Sequence, residues 1–446
     1  MSIWPSSVRG RDDGAMEIGG VSVLDLADRF GTPLYVYDEV TLRERAGAFI
    51  DAFSGAWPRT RVAYAAKAFL SPALVRILHD VGLALDVSSG GEIYAGLAAG
   101  VPASDMVFHG NAKTERELRE ALEAAVGLIA VDNLMELELL ARLASERGVR
   151  QRILLRLNPG IDVHTHEKIK TGVLDSKFGL PIATGDAALA VERAITAPGL
   201  LLGGYHTHLG SQLFDPAALG AGIDALLGFA AEMREAHGIT PEVISPGGGF
   251  GIPYEDGDVA TPAADWAGAL AGSLRRGCSR HGLPEPELII EPGRSIAGPA
   301  GVTLYRVGPI KEIPGGRRFV SVDGGMADNI RPTLYGARYE ASIANRRASG
   351  PIQAQTIVGK YCETGDVLIE RAELPKVRTG DLLAFAATGA YCLAMASNYN
   401  LATRPAVVLV RDGEARLIRR RETYDDLLAA EILPDSARAE LTTGKG

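Results

Sequence analysis

RVAYAAKAFLSPALVRILHDVGLALDVSS, Arg61–Ser89, is one complete strand–helix–strand unit, and the rest of the chain is read outward from it. Val62–Ala66 is a short apolar run of the kind buried on both faces of a parallel sheet. Ser71-Pro72 then places a capping hydroxyl and an N1 proline before Leu74, Ile77, Leu78 and Val81 at helical spacing. Ala84–Ser88 is the next apolar run.

The same unit recurs. Further strands are expected at Met106–His109, Leu128–Val131, Ile153–Leu157, Leu201–His206, Glu242–Ser245 and Glu287–Ile290. Thr114-Glu115-Arg116-Glu117 is a capping box opening a helix through Leu118 and Leu122, and Asp215-Pro216 opens a long alanine-rich helix that ends near His237-Gly238. Eight alternations favour a closed (β/α)8 barrel, while an open doubly wound sheet stays open as an alternative because pairing order cannot be read from one sequence. Past residue 298 the period changes. Val302–Val307, Phe319–Val322, Gln353–Val358, Asp366–Ile369, Leu382–Ala386 and Ala406–Val410 are short strands separated by turn signals, with no helices between them. Val21–Tyr37 is expected to pack with this all-β module. The division is therefore a barrel over 38–298 and a β domain built from 1–37 and 299–446.

Composition narrows the function. The 446 residues carry a net charge of −9, with no basic block that could follow a phosphate backbone, so nucleic acid is not expected as a partner. The first twenty residues hold no apolar signal segment, and no run approaches the length of a membrane span. Three scattered cysteines, Cys278, Cys362 and Cys392, form neither a disulfide framework nor a metal pair and suit a cytoplasmic setting.

Four features carry chemistry. Lys67, one of only nine lysines, closes the first strand at the face where barrel enzymes work. It is either a snorkelling lysine or, with its pKa lowered by desolvation, a Schiff-base lysine. Gly247-Gly248-Gly249 follows the seventh strand, as a tight turn or as a cradle of backbone N–H groups for a phosphate. Glu291-Pro292-Gly293-Arg294 follows the eighth. His206-Thr207-His208-Leu209-Gly210-Ser211 follows the sixth; two histidines two apart on a strand face opposite sides and have no third ligand at metal spacing, so no metal is expected. Lysine, phosphate nest, carboxylate and imidazole together match what pyridoxal phosphate requires: an amine for its aldehyde, a phosphate site, a partner for its ring nitrogen and a surface to stack on.

With these residues placed, the chain resembles the fold-type III pyridoxal phosphate-dependent decarboxylases, and among them the diaminopimelate decarboxylase family. The matching segments run from about Gly31 to Asn400: GTPLYVYDE, YAAKAF, DVSSGGE, SKFG, HTHLGSQ, GGGFG, EPGRSI, DGGMADNIRPTLY, CETGD and GAYCLAMASNYN. The resemblance implies an alanine racemase-like barrel with a C-terminal β domain, and a homodimer whose active sites are completed by both chains. It implies that Lys67 carries the cofactor and that His208 stacks on its ring. Ser211, Gly247, Gly248, Gly249, Gly293 and Tyr391 would lie at the phosphate, Glu291 at the ring nitrogen, and Arg294 near cofactor and substrate. Arg331 and Tyr335 would grip the far carboxylate of the substrate, with Tyr391 also in reach. Cys362 and Glu363, from the partner subunit, would be the proton donor and a substrate contact. Two departures, Thr364 where the family usually has Ser and Ala68-Phe69 where Ala-Asn is common, remove none of these groups.

The implied substrate has a physical side. Diaminopimelate ends in a second amino acid group and needs both a cation and an anion to hold it, which Arg331 and Glu363 would supply. A related decarboxylase acting on another amino-dicarboxylate or a polyamine precursor would keep every cofactor residue. A racemase is disfavoured because Glu291 stands where an arginine is expected, and a non-catalytic binding protein because Lys67 and Cys362 are both intact. His164–Thr171 is expected to be a loop over the pocket.

Overall fold

Strand–helix alternation closes into a barrel. The computed structural model describes residues 2–161 and 175–432, so the loop expected at 164–171 lies outside the described residues. Its parallel strands are β1 (Thr60–Ala65), β2 (Ala84–Val87), β3 (Met106–Phe108), β4 (Leu128–Val131), β5 (Gln151–Asn158), β6 (Leu200–His206), β7 (Val243–Gly247) and β8 (Glu287–Ile290). Each pairs with the next in order. Leu288, Ile289 and Ile290 of β8 pair with Thr60, Arg61 and Val62 of β1, so the ring closes and the open-sheet alternative falls.

One apolar side chain from each of seven strands fills the interior: Ala63, Ala84, Val107, Leu128, Leu154, Val243 and Ile289 form a separate buried cluster. This is the packed layer that stops such a barrel from being a pore. β6 passes with Gly203-Gly204 instead, where a Cβ on Gly204 would stand 1.9 Å from the Val243 carbonyl oxygen.

The helices form where their caps lie. Thr114 and Glu117 make the reciprocal capping box, and Asp215 caps Pro216–His237, which ends on left-handed Gly238. That helix is long and apolar enough to cross a membrane by length and composition, but half of the apolar window is buried, and it packs on Ala263–His281 and β7. Ser71 differs from expectation. It occupies the N-cap position of Pro72–Asp80, yet its hydroxyl is buried and has no hydrogen-bond partner among the described residues.

Leu34–Asp38 is a central strand of the second domain, antiparallel to Gly301–Glu312 and parallel to Ala406–Arg411. Gly301–Glu312 runs past its expected end at Val307 because a register shift between Val307 and Ile310 absorbs Gly308-Pro309. Two short helices, Arg331–Tyr335 and Tyr424–Leu428, interrupt a region expected to be all strand; five residues are too few for a helical period to register. The first of them, bracketed by Pro332 and left-handed Gly336, carries Arg331.

A buried ion pair ties together the segments that follow the adjacent strands β3 and β4. Lys113 Nζ donates to Glu136 (2.7 Å), to the Gly110 carbonyl (2.8 Å) and to the Ala130 carbonyl of β4 (2.6 Å). Burial pushes the Lys113 ammonium down and the Glu136 carboxyl up, so each depends on the other to stay charged. Removing one partner of such a pair strands the other charge. Glu136→Ala should therefore destabilise the fold by about 3–5 kcal/mol, read as a lower denaturant midpoint; an unchanged midpoint would show that the pair carries no weight.

Candidate active site

Above the apolar plug, every barrel strand places one polar side chain at or just beyond its C-terminal half. They are Lys67 after β1, Asp86 on β2, His109 after β3, Asp132 after β4, Arg156 on β5, His206 on β6, Ser245 on β7 and Glu291 after β8. All but Lys67 are buried. Lys67 sits on the 3-10 turn Ala66–Ala68 and projects into a cavity of about 490 Å³, through which it meets solvent. Such a volume suits a cofactor with a small substrate.

Glu291 is the best-held member of this ring. Ser245 Oγ donates to it at 3.0 Å, and the Nε2 atoms of His206 and His109 each lie 3.3 Å away. Burial would raise its pKa, but the two histidines outweigh burial and hold the carboxyl well below the usual carboxylate range. His206 itself is pushed down to about 4 by burial, so it serves as a neutral imidazole. Asp86 lies 3.8 Å from His109, and Asp132 lies 3.5 Å from Arg156, whose guanidinium stacks 4.4 Å from the Phe178 ring centroid.

Lys67 departs from expectation. Desolvation by the cavity walls favours the neutral amine, but Asp86, then Tyr391 and Glu291, outweigh it, and the ammonium pKa stands above its ordinary value instead of below it. The carboxylates responsible stand on β2 and just after β8, and the Tyr391 hydroxyl comes from the second domain, where one-dimensional spacing cannot show them.

His208 lines the same cavity. Burial, then the charges of Lys67 and Arg156, press its pKa well below the ordinary value, so a neutral ring faces the pocket. Its Nδ1 accepts from the Gly248 N–H at 3.3 Å, while the Gly247 N–H goes to Ser245 Oγ at 3.2 Å. The expected cradle of three free amides is thus narrower: of the three glycines only Gly249 lines the cavity. The glycines are needed for close packing as well. At Gly249, with φ near +100°, a Cβ would stand 2.3 Å from the Gly210 carbonyl oxygen.

Ser211, Gly293, Arg294, Tyr391, Arg331 and Tyr335 also line the cavity. Arg294 donates to Ser211 Oγ at 3.0 Å and lies 4.6 Å from the Tyr391 ring centroid. Arg331 is buried, and its guanidinium donates to the hydroxyls of Tyr254 and Tyr339. Cys362 and Glu363 do not line this cavity. They sit in an exposed turn, with the Cys362 N–H on Asn400 Oδ1 at 3.1 Å and the Tyr399 hydroxyl reaching the Cys362 carbonyl at 3.4 Å.

The sequence reading missed Asp86, His109, Asp132, Arg156, Ser245 and Tyr254. Asp86 lies within, and His109 ends, a strand that the apolar pattern predicts. The histidine pair also does have further ligand-type neighbours: His109, His206 and Glu291 bring three ligand atoms within 4.8 Å of one another. His109 comes from three strands away, which spacing along the chain does not reveal. Ser245 and His206 by hydrogen bonds, and His109 by close approach, bracket this one carboxylate.

Comparison with known proteins agrees with this geometry. Residues 41–298 match the family model described as pyridoxal-dependent decarboxylase, pyridoxal binding domain. The chain is 47% identical over 424 residues to diaminopimelate decarboxylase of Bacillus subtilis (strain 168), covering 95% of this chain and 97% of that one. It is 42% identical over 443 residues to diaminopimelate decarboxylase of Mycobacterium tuberculosis (strain ATCC 25618 / H37Rv), covering 97% and 98%. Among solved structures, diaminopimelate decarboxylase from M. jannaschii in complex with L-lysine superposes with a TM-score of 0.91 at 36% identity, covering 97% of this chain and 99% of that one. The chain belongs to the pyridoxal-dependent decarboxylases and, within them, to the diaminopimelate decarboxylase family.

Pyridoxal phosphate fits the residues present. An ionised carboxylate, a neutral imidazole face and a cavity-facing amine would meet its ring, and Arg294, whose buried Nε has no partner among the described residues, stands beside the glycine turn. Gly249→Ala should weaken pyridoxal phosphate binding about tenfold or more, ~1.4 kcal/mol, in a titration followed by cofactor absorbance. Wild-type affinity in that variant would remove the turn from the phosphate site.

Proposed function

We propose that this protein decarboxylates meso-2,6-diaminopimelate to L-lysine and CO2, the last step of lysine biosynthesis, as a cytoplasmic homodimer with shared active sites. The observation that carries the reading is the convergence of Lys67, Glu291, Arg294 and Arg331 on one cavity at the junction of the two domains. Pyridoxal phosphate, when bound, supplies the sink for the electron pair left by the departing carboxylate.

The side chains do the rest. Lys67, which projects into the cavity, would hold the cofactor through its ε-nitrogen. Glu291, kept anionic by His109, His206 and Ser245, holds a proton at the ring nitrogen. His208 would face the ring, and the Gly249 turn, Gly293, Ser211, Arg294 and Tyr391 would hold the phosphate end. Arg331 and Tyr335 take the far carboxylate. Cys362 Sγ of the second copy returns a proton to the carbon that lost CO2, and the Glu363 carboxylate of that copy meets the far ammonium.

Several observations support the dimer. Cys362 and Glu363 are exposed on their own chain, and Tyr399 (38% exposed) and Leu401 (63% exposed) lie beside them. Tyr94 and Met135 are also exposed, in the first two turns of helices that start at the barrel mouth. Exposed apolar side chains gathered around a working face mark an interface. All three cysteines are free, in keeping with a reducing compartment.

The test is direct. The purified protein should show visible cofactor absorbance that borohydride abolishes, and should form L-lysine from diaminopimelate but not act on lysine, ornithine or carboxynorspermidine. Lys67→Ala should lose both the absorbance and the turnover, and mixing it with Cys362→Ala should restore part of the activity through hybrid dimers. Turnover in Lys67→Ala would refute the assignment, and preference for another of these amines would move the protein to a related decarboxylase.

A further inference from the structure

Two arginines meet on one phenol. Arg294, from the barrel, donates Nη1 to Tyr254 Oη at 2.6 Å; Arg331, from the β domain, donates Nη1 to the same oxygen at 2.9 Å. Tyr254 itself is buried, on the segment that follows the glycine turn. A phenol oxygen accepts through its lone pairs, and the two guanidiniums use that capacity from two sides. Arg331 also donates to Tyr339 Oη, which contacts Cys392 Sγ at 3.2 Å. The Tyr254 and Tyr339 rings pack edge to face, 5.3 Å between centroids, with the Arg331 guanidinium 4.8 Å and 5.5 Å from them.

The charges in this cluster do not close. Among the described residues neither Arg294 nor Arg331 forms an ion pair, and the Nε of each is buried without a partner. A neutral phenol orients two cations but neutralises neither. What the cluster lacks is anions: one at the Arg294 end, beside Ser211 and Tyr391, and one at the Arg331 end, beside Tyr335.

We propose that Tyr254 is a specificity-determining positioning residue, whose hydroxyl clamps the Arg331 guanidinium in the orientation that receives a second carboxylate on the substrate. This rests on the decarboxylase reading above and deepens it. Arg331 stands on a five-residue helix, a short support for a long side chain that must present a fork with fixed direction. Tyr254 ties that fork to the barrel arginine, so the far-carboxylate site is set relative to the cofactor end and not by the β domain alone. An α,ω-diamine without the second carboxylate gains nothing from this arrangement, and it leaves the arginine unpaired.

Tyr254→Phe tests this, since it removes one oxygen and keeps the ring. At saturating cofactor the holoenzyme variant should keep its absorbance and its circular dichroism. Its KM for diaminopimelate should rise about 10- to 100-fold, with kcat within about twofold. Calorimetric binding of L-lysine should weaken in proportion, while binding of 1,5-diaminopentane, which has no carboxylate, should not change. In an Arg331→Ala background the same substitution should add little, because its effect runs through that arginine. An unchanged lysine-to-diaminopentane ratio, or full additivity with Arg331→Ala, would overturn the proposal, as would loss of fold or of cofactor absorbance, which would make the hydroxyl structural. A wild-type enzyme that forms no lysine from diaminopimelate would instead sink the functional reading.

Discussion

Buried charge at the barrel mouth is the constraint on which the rest depends. Each ionised group taken out of water must be met by an opposite charge or by hydrogen bonds. Here the apolar plug lifts Lys67, Asp86, Asp132, Arg156 and Glu291, with two histidines and a serine, into one layer. Moving any strand by one residue would turn its polar side chain to the other face, so closure of the barrel and assembly of the site are one event. Lys113 and Glu136 tie together the segments at the C-terminal ends of β3 and β4.

The second domain supplies what the barrel lacks. Its sheet takes Leu34–Asp38 from the N-terminal side of the barrel and Gly301–Glu312 from the C-terminal side, so the chain crosses between domains on neighbouring strands. That pairing seats the Arg331 helix and Tyr391 over the barrel mouth, where both line the cavity. On the proposed function the barrel therefore handles the cofactor and the reacting end of the substrate, and the β domain reads the other end. The tyrosine hydroxyl shared by Arg294 and Arg331 is where the two tasks meet.

Much of this was legible in the order of residues. All eight barrel strands were readable because each is a short, largely apolar run between helical segments, and Leu128–Val131 and Glu287–Ile290 have the limits that periodicity assigns them. Lys67, His208 and Glu291 were legible because each directly follows such a run, and Arg331 through the motif around it. What stayed hidden depends on closure. Asp86, His109 and Arg156 look ordinary along the chain and acquire meaning only across the ring. The direction of the Lys67 shift was misjudged for the same reason, since desolvation can be inferred from a strand end but the opposing carboxylates cannot. Gly247 and Gly248 spend their amides inside the fold on partners from β7 and the loop after β6, so a run of glycines alone overstated the cradle. Tyr254 carried no motif; its role is a meeting of two arginines 37 positions apart in sequence, 294 and 331.

The central claim is that a carboxylate bracketed by two histidines and a serine keeps a proton on the ring nitrogen of the cofactor. Nitrogen-15 resonance of pyridoxal phosphate labelled at that atom and bound to the protein reads this without reference to turnover. The account predicts a protonated-pyridine shift from about pH 6 to 8, moving to the unprotonated position in Glu291→Gln. An unprotonated ring nitrogen in the wild-type protein across that range would contradict it.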